Sequence, residues 1–262
     1  MRITYIGHAT LLIELGDRIF LTDPNFDSNL GGFLPRVSAP GVSIVSLPRI
    51  DAIVVTHAHA DHLSFKSLDA LPQDVPIYAP PAIAKWLKKR GYSMAQKIAP
   101  GESVQNGAVE IKAGTATHQG NRYAVDRWRS SANMYLFDTN DISCFFAGDT
   151  GLTPESTHLV ERHVGAAGRR LDLALLPIGH APWWKPGFRK GHLTSGDALT
   201  LFDRLDARYL IPYHWGTFDH VTSKAHDAIQ RLRAQLPAYP RSETVQILEP
   251  GMSFDLPISS SE

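Results

Sequence analysis

The chain has 262 residues, 43% of them hydrophobic, which is enough for one large α/β domain or two small ones with a sizeable core. Its 26 Lys and Arg balance 26 Asp and Glu, so no global field draws it to nucleic acid or to an anionic membrane surface. A single cysteine, Cys144, excludes an internal disulfide framework, and no apolar run approaches the roughly 20 residues that span a bilayer.

Short strand-like runs come first. Residues 3–6, 10–14, 18–22 and 52–56 are rich in β-branched and aliphatic side chains and are separated by Gly, Asp and Pro. Gly16-Asp17 reads as a hairpin turn between two of them. The amino terminus enters a strand at once and lacks the apolar core and cleavage site of a signal peptide, so a cytoplasmic protein is expected. Residues 25–49 carry six glycines and prolines and predict a long surface loop. A helix is predicted over 81–90, with Pro81 in its first turn, Ile83, Trp86 and Leu87 on one face, and Gly91 closing it. Strands follow at 103–106, 109–113, 134–138, 143–147, 174–177 and 209–212. Helices are predicted over 194–205, where Thr194 and Asp197 resemble a capping pair, and over 223–236. Strands with helices interspersed in both halves, and no linker between them, predict one domain over 1–262, an α/β or α+β sandwich of sheets covered by helices. Cys144 lies within a strand and is expected to be a small core residue.

The densest chemistry is Thr56-His57-Ala58-His59-Ala60-Asp61-His62, directly after the apolar run Ala52-Ile53-Val54-Val55. Imidazoles two positions apart on extended chain point to the same side and can grip one ion, while Asp61 and His62, on the turn that follows, can serve another. Neutral nitrogens and anionic oxygens of this kind suit zinc. Three other segments end a strand in a polar residue: His118 after Ala113-Gly114-Thr115-Ala116-Thr117, Asp149 in Phe146-Ala147-Gly148-Asp149-Thr150, and His214 in Leu210-Ile211-Pro212-Tyr213-His214. Alone, each reads more readily as a hydrogen-bonded structural residue. Beside the cluster they complete what two metals require.

The pattern His-x-His-x-Asp-His, then a lone His, an Asp and a final His, resembles the metallo-β-lactamase superfamily over nearly the whole chain. Within it the sequence is most similar to the phospholipase D-like branch that hydrolyses N-acyl-phosphatidylethanolamine. The phrases that carry this are Tyr5-Ile6-Gly7-His8-Ala9-Thr10, Leu21-Thr22-Asp23-Pro24, Gly148-Asp149-Thr150-Gly151, Leu176-Pro177-Ile178-Gly179 and His214-Trp215-Gly216-Thr217-Phe218. The resemblance implies a four-layer αββα sandwich and two divalent ions, zinc first, with manganese or iron as alternatives. It gives His57, His59 and His118 to one ion, Asp61, His62 and His214 to the other, and Asp149 to both as a bridge. A related di-iron redox family has glutamate in place of the motif's second histidine, and His59 argues against that branch.

Two such ions about 3.5–4 Å apart would make hydroxide available near pH 7 and neutralise charge on a phosphoryl or tetrahedral carbonyl oxygen. The expected activity is therefore hydrolysis, with a metal-bridging hydroxide attacking a phosphodiester. The alternatives are a lactonase or other carbon-ester or amide hydrolase with the same metals, and a noncatalytic metal-stabilised binding protein. Asp61 and His192 are the candidate catalytic residues. His192 lies just before a predicted helix, where it either donates a proton or binds phosphate, or else is structural. His180 and Trp183, with His192, are candidate substrate contacts in a loop containing Pro182-Trp183-Trp184, which equally reads as packing on the core. Asp23 and His8 are placed behind the ligands: Asp23 either orients a ligand histidine or forms an Asp-Pro turn, and His8 either supports the site or is a satisfied buried histidine. Arg122, Arg127 and Arg129 either reach the site or are solvated. The expected partner is a small-molecule or lipid-like substrate, with no nucleic acid.

Overall fold

A computed structural model of the protein describes residues 1–122, 128, 131–179, 189–219 and 223–257. Two sheets face each other. The first holds β1 (Arg2–Gly7), β2 (Thr10–Leu15), β3 (Arg18–Thr22), β6 (Ala52–Val54), β7 (Ile77–Ala79) and β8 (Ala95–Lys97) in that order, with β15 (Ser253–Asp255) added beside β1. A small hairpin, β4 (Asn29–Leu30) and β5 (Leu34–Pro35), interrupts the connection from β3 to β6. The second sheet holds β9 (Ser103–Asn106), β10 (Val109–Thr115), β11 (Asn133–Asp138), β12 (Ser143–Phe146), β13 (Leu173–Pro177) and β14 (Tyr209–Tyr213), again neighbouring in chain order. Both sheets begin antiparallel and finish parallel: β1 to β3 and β9 to β12 form meanders, and the strands after them run side by side in one sense.

Alternation along the strands sets the layers, because successive side chains leave opposite faces. In β2, Leu11, Ile13 and Leu15 join the cluster between the sheets, with Phe20, Tyr135, Phe137 and Phe146, whereas Leu12 joins a cluster on the outer face. There α1 (Phe65–Asp69) and α2 (Pro81–Lys89) supply Leu68, Ile83 and Leu87. On the far side α3 (Glu155–His163), α4 (Ser195–Arg204) and α5 (Asp227–Gln235) cover the second sheet with Leu159, Val160, Phe202 and Ile229. The architecture is the expected αββα sandwich. Cys144 is fully buried in β12, within the cluster between the sheets. No described helix is long and apolar enough to cross a membrane.

Thr194 caps α4 in a full capping box with Asp197, as its sequence suggested. Other expectations change. The helix placed over 223–236 starts at Asp227, whose carboxylate accepts the Lys224 N–H and holds the preceding residues in a turn. Residues 25–49 are not all loop, since they contain the β4–β5 hairpin. The strand expected to run to residue 56 ends at Val54, because the Thr56 N–H leaves the ladder and donates to Asp23 Oδ1 at 2.7 Å. That departure begins the site.

Candidate metal centre

Strands β1, β3 and β6 run in one sense, and so do β10, β12, β13 and β14. The predicted site residues follow the carboxyl ends of these strands, where connections leave the sheets: His8 after β1, Asp23 after β3, His57 to His62 after β6, His118 after β10, Asp149 after β12, His192 after β13 and His214 after β14. The fold brings them to one edge of the sandwich. Three of the five described non-glycine residues with positive φ are here, at His8 (57°), Asp23 (35°) and His214 (69°). Such backbone is costly and persists where the surroundings enforce it.

Two groups of donors converge, each with its ligand atoms within 4.8 Å of one another: His57, His59, His118 and Asp149 in a first cradle, and His8, Asp61, His62 and His214 in a second. In the first, His59 Nδ1 lies 2.9 Å from His57 Nε2 and 3.1 Å from His118 Nε2. In the second, His62 Nε2 and His214 Nε2 are 3.1 Å apart. Asp149 stands between the cradles. Its Oδ2 is 3.9 Å from both His57 Nε2 and His118 Nε2 and 3.4 Å from His62 Nε2, and its Oδ1 is 3.3 Å from His214 Nε2.

The charge balance calls for cations. Burial opposes ionisation of Asp149 and Asp61, yet the imidazoles around them outweigh it and hold both carboxyls well below the usual range. Among the described residues neither these two nor Asp23 pairs with lysine or arginine; their ion-pair partners are imidazoles. Burial and neighbouring imidazoles push His57 well below its ordinary value and His118 down to about 3, leaving neutral rings with a free lone pair, the ligand form. His214 goes the other way: burial is outweighed by Asp149 and Asp61, which raise it to about 9. Asp149 Oδ1 is buried with no hydrogen-bond partner, an orphan that a cation would satisfy. The donor set fits metal ions.

Buried partners aim the rings. Asp23 is fully buried and its Oδ2 accepts from Thr56 Oγ1 at 2.6 Å and from His62 Nδ1 at 2.7 Å, which turns His62 Nε2 toward the centre. Thr56 Oγ1 lies 2.9 Å from His57 Nδ1, and the Gly191 carbonyl accepts from His118 Nδ1 at 2.8 Å. His192 is near the bridge, its Nε2 3.7 Å from Asp149 Oδ2. His180 and Trp183, like Arg127 and Arg129, lie outside the described residues.

Sequence reasoning missed Thr56, because a threonine at a strand end carries no signal of its own. It also left Arg122 undecided. The structure shows Arg122 Nη1 donating to the Ala58 carbonyl at 3.1 Å and the Leu63 carbonyl at 2.6 Å, with its guanidinium 5.1 Å from the Phe65 ring centre. It straps the loop that carries His59, Asp61 and His62. Arg122→Ala should cost about 2 kcal/mol, the loss from leaving two carbonyls without a charged donor. In a chain of this size that lowers the melting temperature by about 4–8 °C. Differential scanning calorimetry checks it; an unchanged transition would mean that the loop holds itself.

A cleft of ≈ 230 Å³ opens over the centre. His59, Asp61, Asp149, His192 and His214 contribute to its lining, as do apolar Leu30 and Leu34 of the β4–β5 hairpin with Ile178, Trp215 and Phe218. Lys224 and Arg231, both exposed, also border it.

Residues 18–215 match the family model described as the beta-lactamase superfamily domain. The N-acyl-phosphatidylethanolamine-hydrolyzing phospholipase D 1 of Caenorhabditis elegans is 30% identical over 241 residues, 84% of this chain but 65% of that protein. A UPF0173 metal-dependent hydrolase of Exiguobacterium is 26% identical over 250 residues, 94% of this chain and all (100%) of the other. Among solved structures, the isothiocyanate hydrolase from Delia radicum gut bacteria superposes with a TM-score of 0.78 at 20% identity, covering 97% of this chain and 99% of that one.

Proposed function

This chain belongs to the β-lactamase superfamily and is one of its metal-dependent hydrolases, and from that premise we propose that it is a binuclear phosphodiesterase. The observation that carries the reading is the pair of buried cradles sharing Asp149 on the floor of one cleft. We assign His57, His59 and His118 to one cation and Asp61, His62 and His214 to the other, with Asp149 between them. Zinc suits a set of imidazoles and carboxylates with no soft thiolate. Bound divalent cations lower the pKa of water and neutralise charge on phosphoryl oxygens.

The rest is work for side chains. Asp61 is the more open carboxylate, at 20% side-chain exposure against 3% for Asp149, and faces the cleft where it can accept a proton from attacking water. His192, which lines the cleft with its Nε2 3.7 Å from Asp149 Oδ2, is assigned to protonate the leaving oxygen. Leu30, Leu34 and Phe218 shape the cleft for a substrate with an apolar substituent, in keeping with the lipid phosphodiester named for the Caenorhabditis relative.

Metal-loaded protein should hydrolyse bis(p-nitrophenyl) phosphate, and a chelator should stop it. A panel of lactones and carbon esters run beside it tests the choice of bond. Turnover of the lactones with none of the phosphodiester would replace this reading by a carbon-ester hydrolase using the same cradles.

A further inference from the structure

On the binuclear reading, we propose that His8 is the positioning residue of the second cradle, fixing Asp61 and His214 so that the second cation, and not the first, depends on it. His8 Nε2 lies 2.9 Å from Asp61 Oδ2, and its ring packs against His214 at a tilt of 40°, with centres 3.9 Å apart. The His8 carbonyl accepts the His214 N–H at 2.9 Å. One residue thus holds two of the other three members of its cradle, through its ring and through its backbone.

The chain is shaped to place that ring. Pairing of β1 with β2 slips between Tyr5 and Gly7, a bulge of the kind that re-aims a side chain. Gly7 at φ 143° then leads into His8 at φ 57°, a conformation that few residues tolerate. A histidine kept only to fill the core needs no such turn. The side chain is 8% exposed and its Nδ1 is buried without a hydrogen bond. An unpaired acceptor is better tolerated than an unpaired N–H, so the proton sits on Nε2 and is donated to Asp61. With Oδ2 engaged, Asp61 is held in the orientation that serves the second cation. The first cradle, by contrast, is oriented by Thr56 and Gly191 and has no described hydrogen bond to His8.

Two substitutions separate the ring's role from that of the turn. Asparagine tolerates positive φ but its amide is too short to reach Asp61, whereas the glutamine amide reaches about as far as Nε2. Metal-free protein is titrated with cobalt(II), following the visible spectrum and the bound equivalents, with the melting temperature as a check on folding. Wild type should take up cobalt in two steps. His8→Asn should weaken the second step about 10–100-fold and leave the first unchanged, and His8→Gln should recover most of the loss. Asparagine behaving as wild type, both steps weakening equally, or glutamine doing no better than asparagine would each overturn the assignment. Wild type binding a single ion would instead overturn the binuclear reading itself, and the assignment with it.

Discussion

Asp149→Ala is expected to reduce turnover by about 10³-fold or more, since the several kcal/mol of charge stabilisation in a metal centre convert at 1.36 kcal/mol per factor of ten. Among the described residues Asp149 is the one carboxylate within 4 Å of imidazoles from both cradles, facing His57 and His118 with one oxygen and His214 with the other. Its removal leaves His62 and His214 without the strongest charge that favours their protonated form and, on the binuclear reading, would leave two cations without their shared anion. The side chain follows β12 on a loop and takes no part in the core, so folding should survive. Elemental analysis should show metal lost together with activity. A well-folded variant retaining both metal and turnover would remove Asp149 from the centre.

Asp23→Ala should act on stability as well as on metal. The carboxylate has no exposed surface and accepts from the Thr56 N–H, the Thr56 hydroxyl and His62 Nδ1. Deleting one side of a buried pair strands the other, at a cost of about 3–5 kcal/mol. For a chain of this length the melting temperature should fall by about 10 °C. Freed from its partner, the His62 ring can rotate its Nε2 away from the second cradle, so metal affinity should fall too, about 10–100-fold. Asp23→Asn, which tolerates the same positive φ and keeps one acceptor, should fall between alanine and wild type in both measurements. Equal melting curves for Asp23→Ala and wild type would show that Thr56 and His62 are held by other groups.

How much of this could be read from the sequence followed how locally each feature is encoded. Most strands of the two sheets are legible because apolar residues run through them and turn residues bound them. The strands β7, β8 and β15 have three residues each, too few to show a pattern, and α3 is hard to read because only Leu159 and Val160 mark its apolar contacts amid Glu155, His158, Glu161 and Arg162. His57 to His62 announce themselves because four donors share one turn, and His118, Asp149 and His214 gain meaning only beside them. The supporting groups are different. Thr56, Arg122 and the backbone of Gly191 act through contacts between segments distant in the chain, and an isolated threonine or arginine does not disclose its partner. Nor does the sequence reveal that both halves follow one plan, a meander followed by parallel strands, since that likeness lies in topology and not in repeated residues.

That duplicated plan bears on how occupancy and folding are coupled. Each cradle draws from both halves: His57 and His59 meet His118 and Asp149, while His8, Asp61 and His62 meet His214. An ion seated in either therefore acts as a rivet through the seam between the sheets. Whatever binds the closed sandwich and not the opened chain adds its binding energy to resistance against separation, so exchange of ions and opening of that edge draw on a single equilibrium.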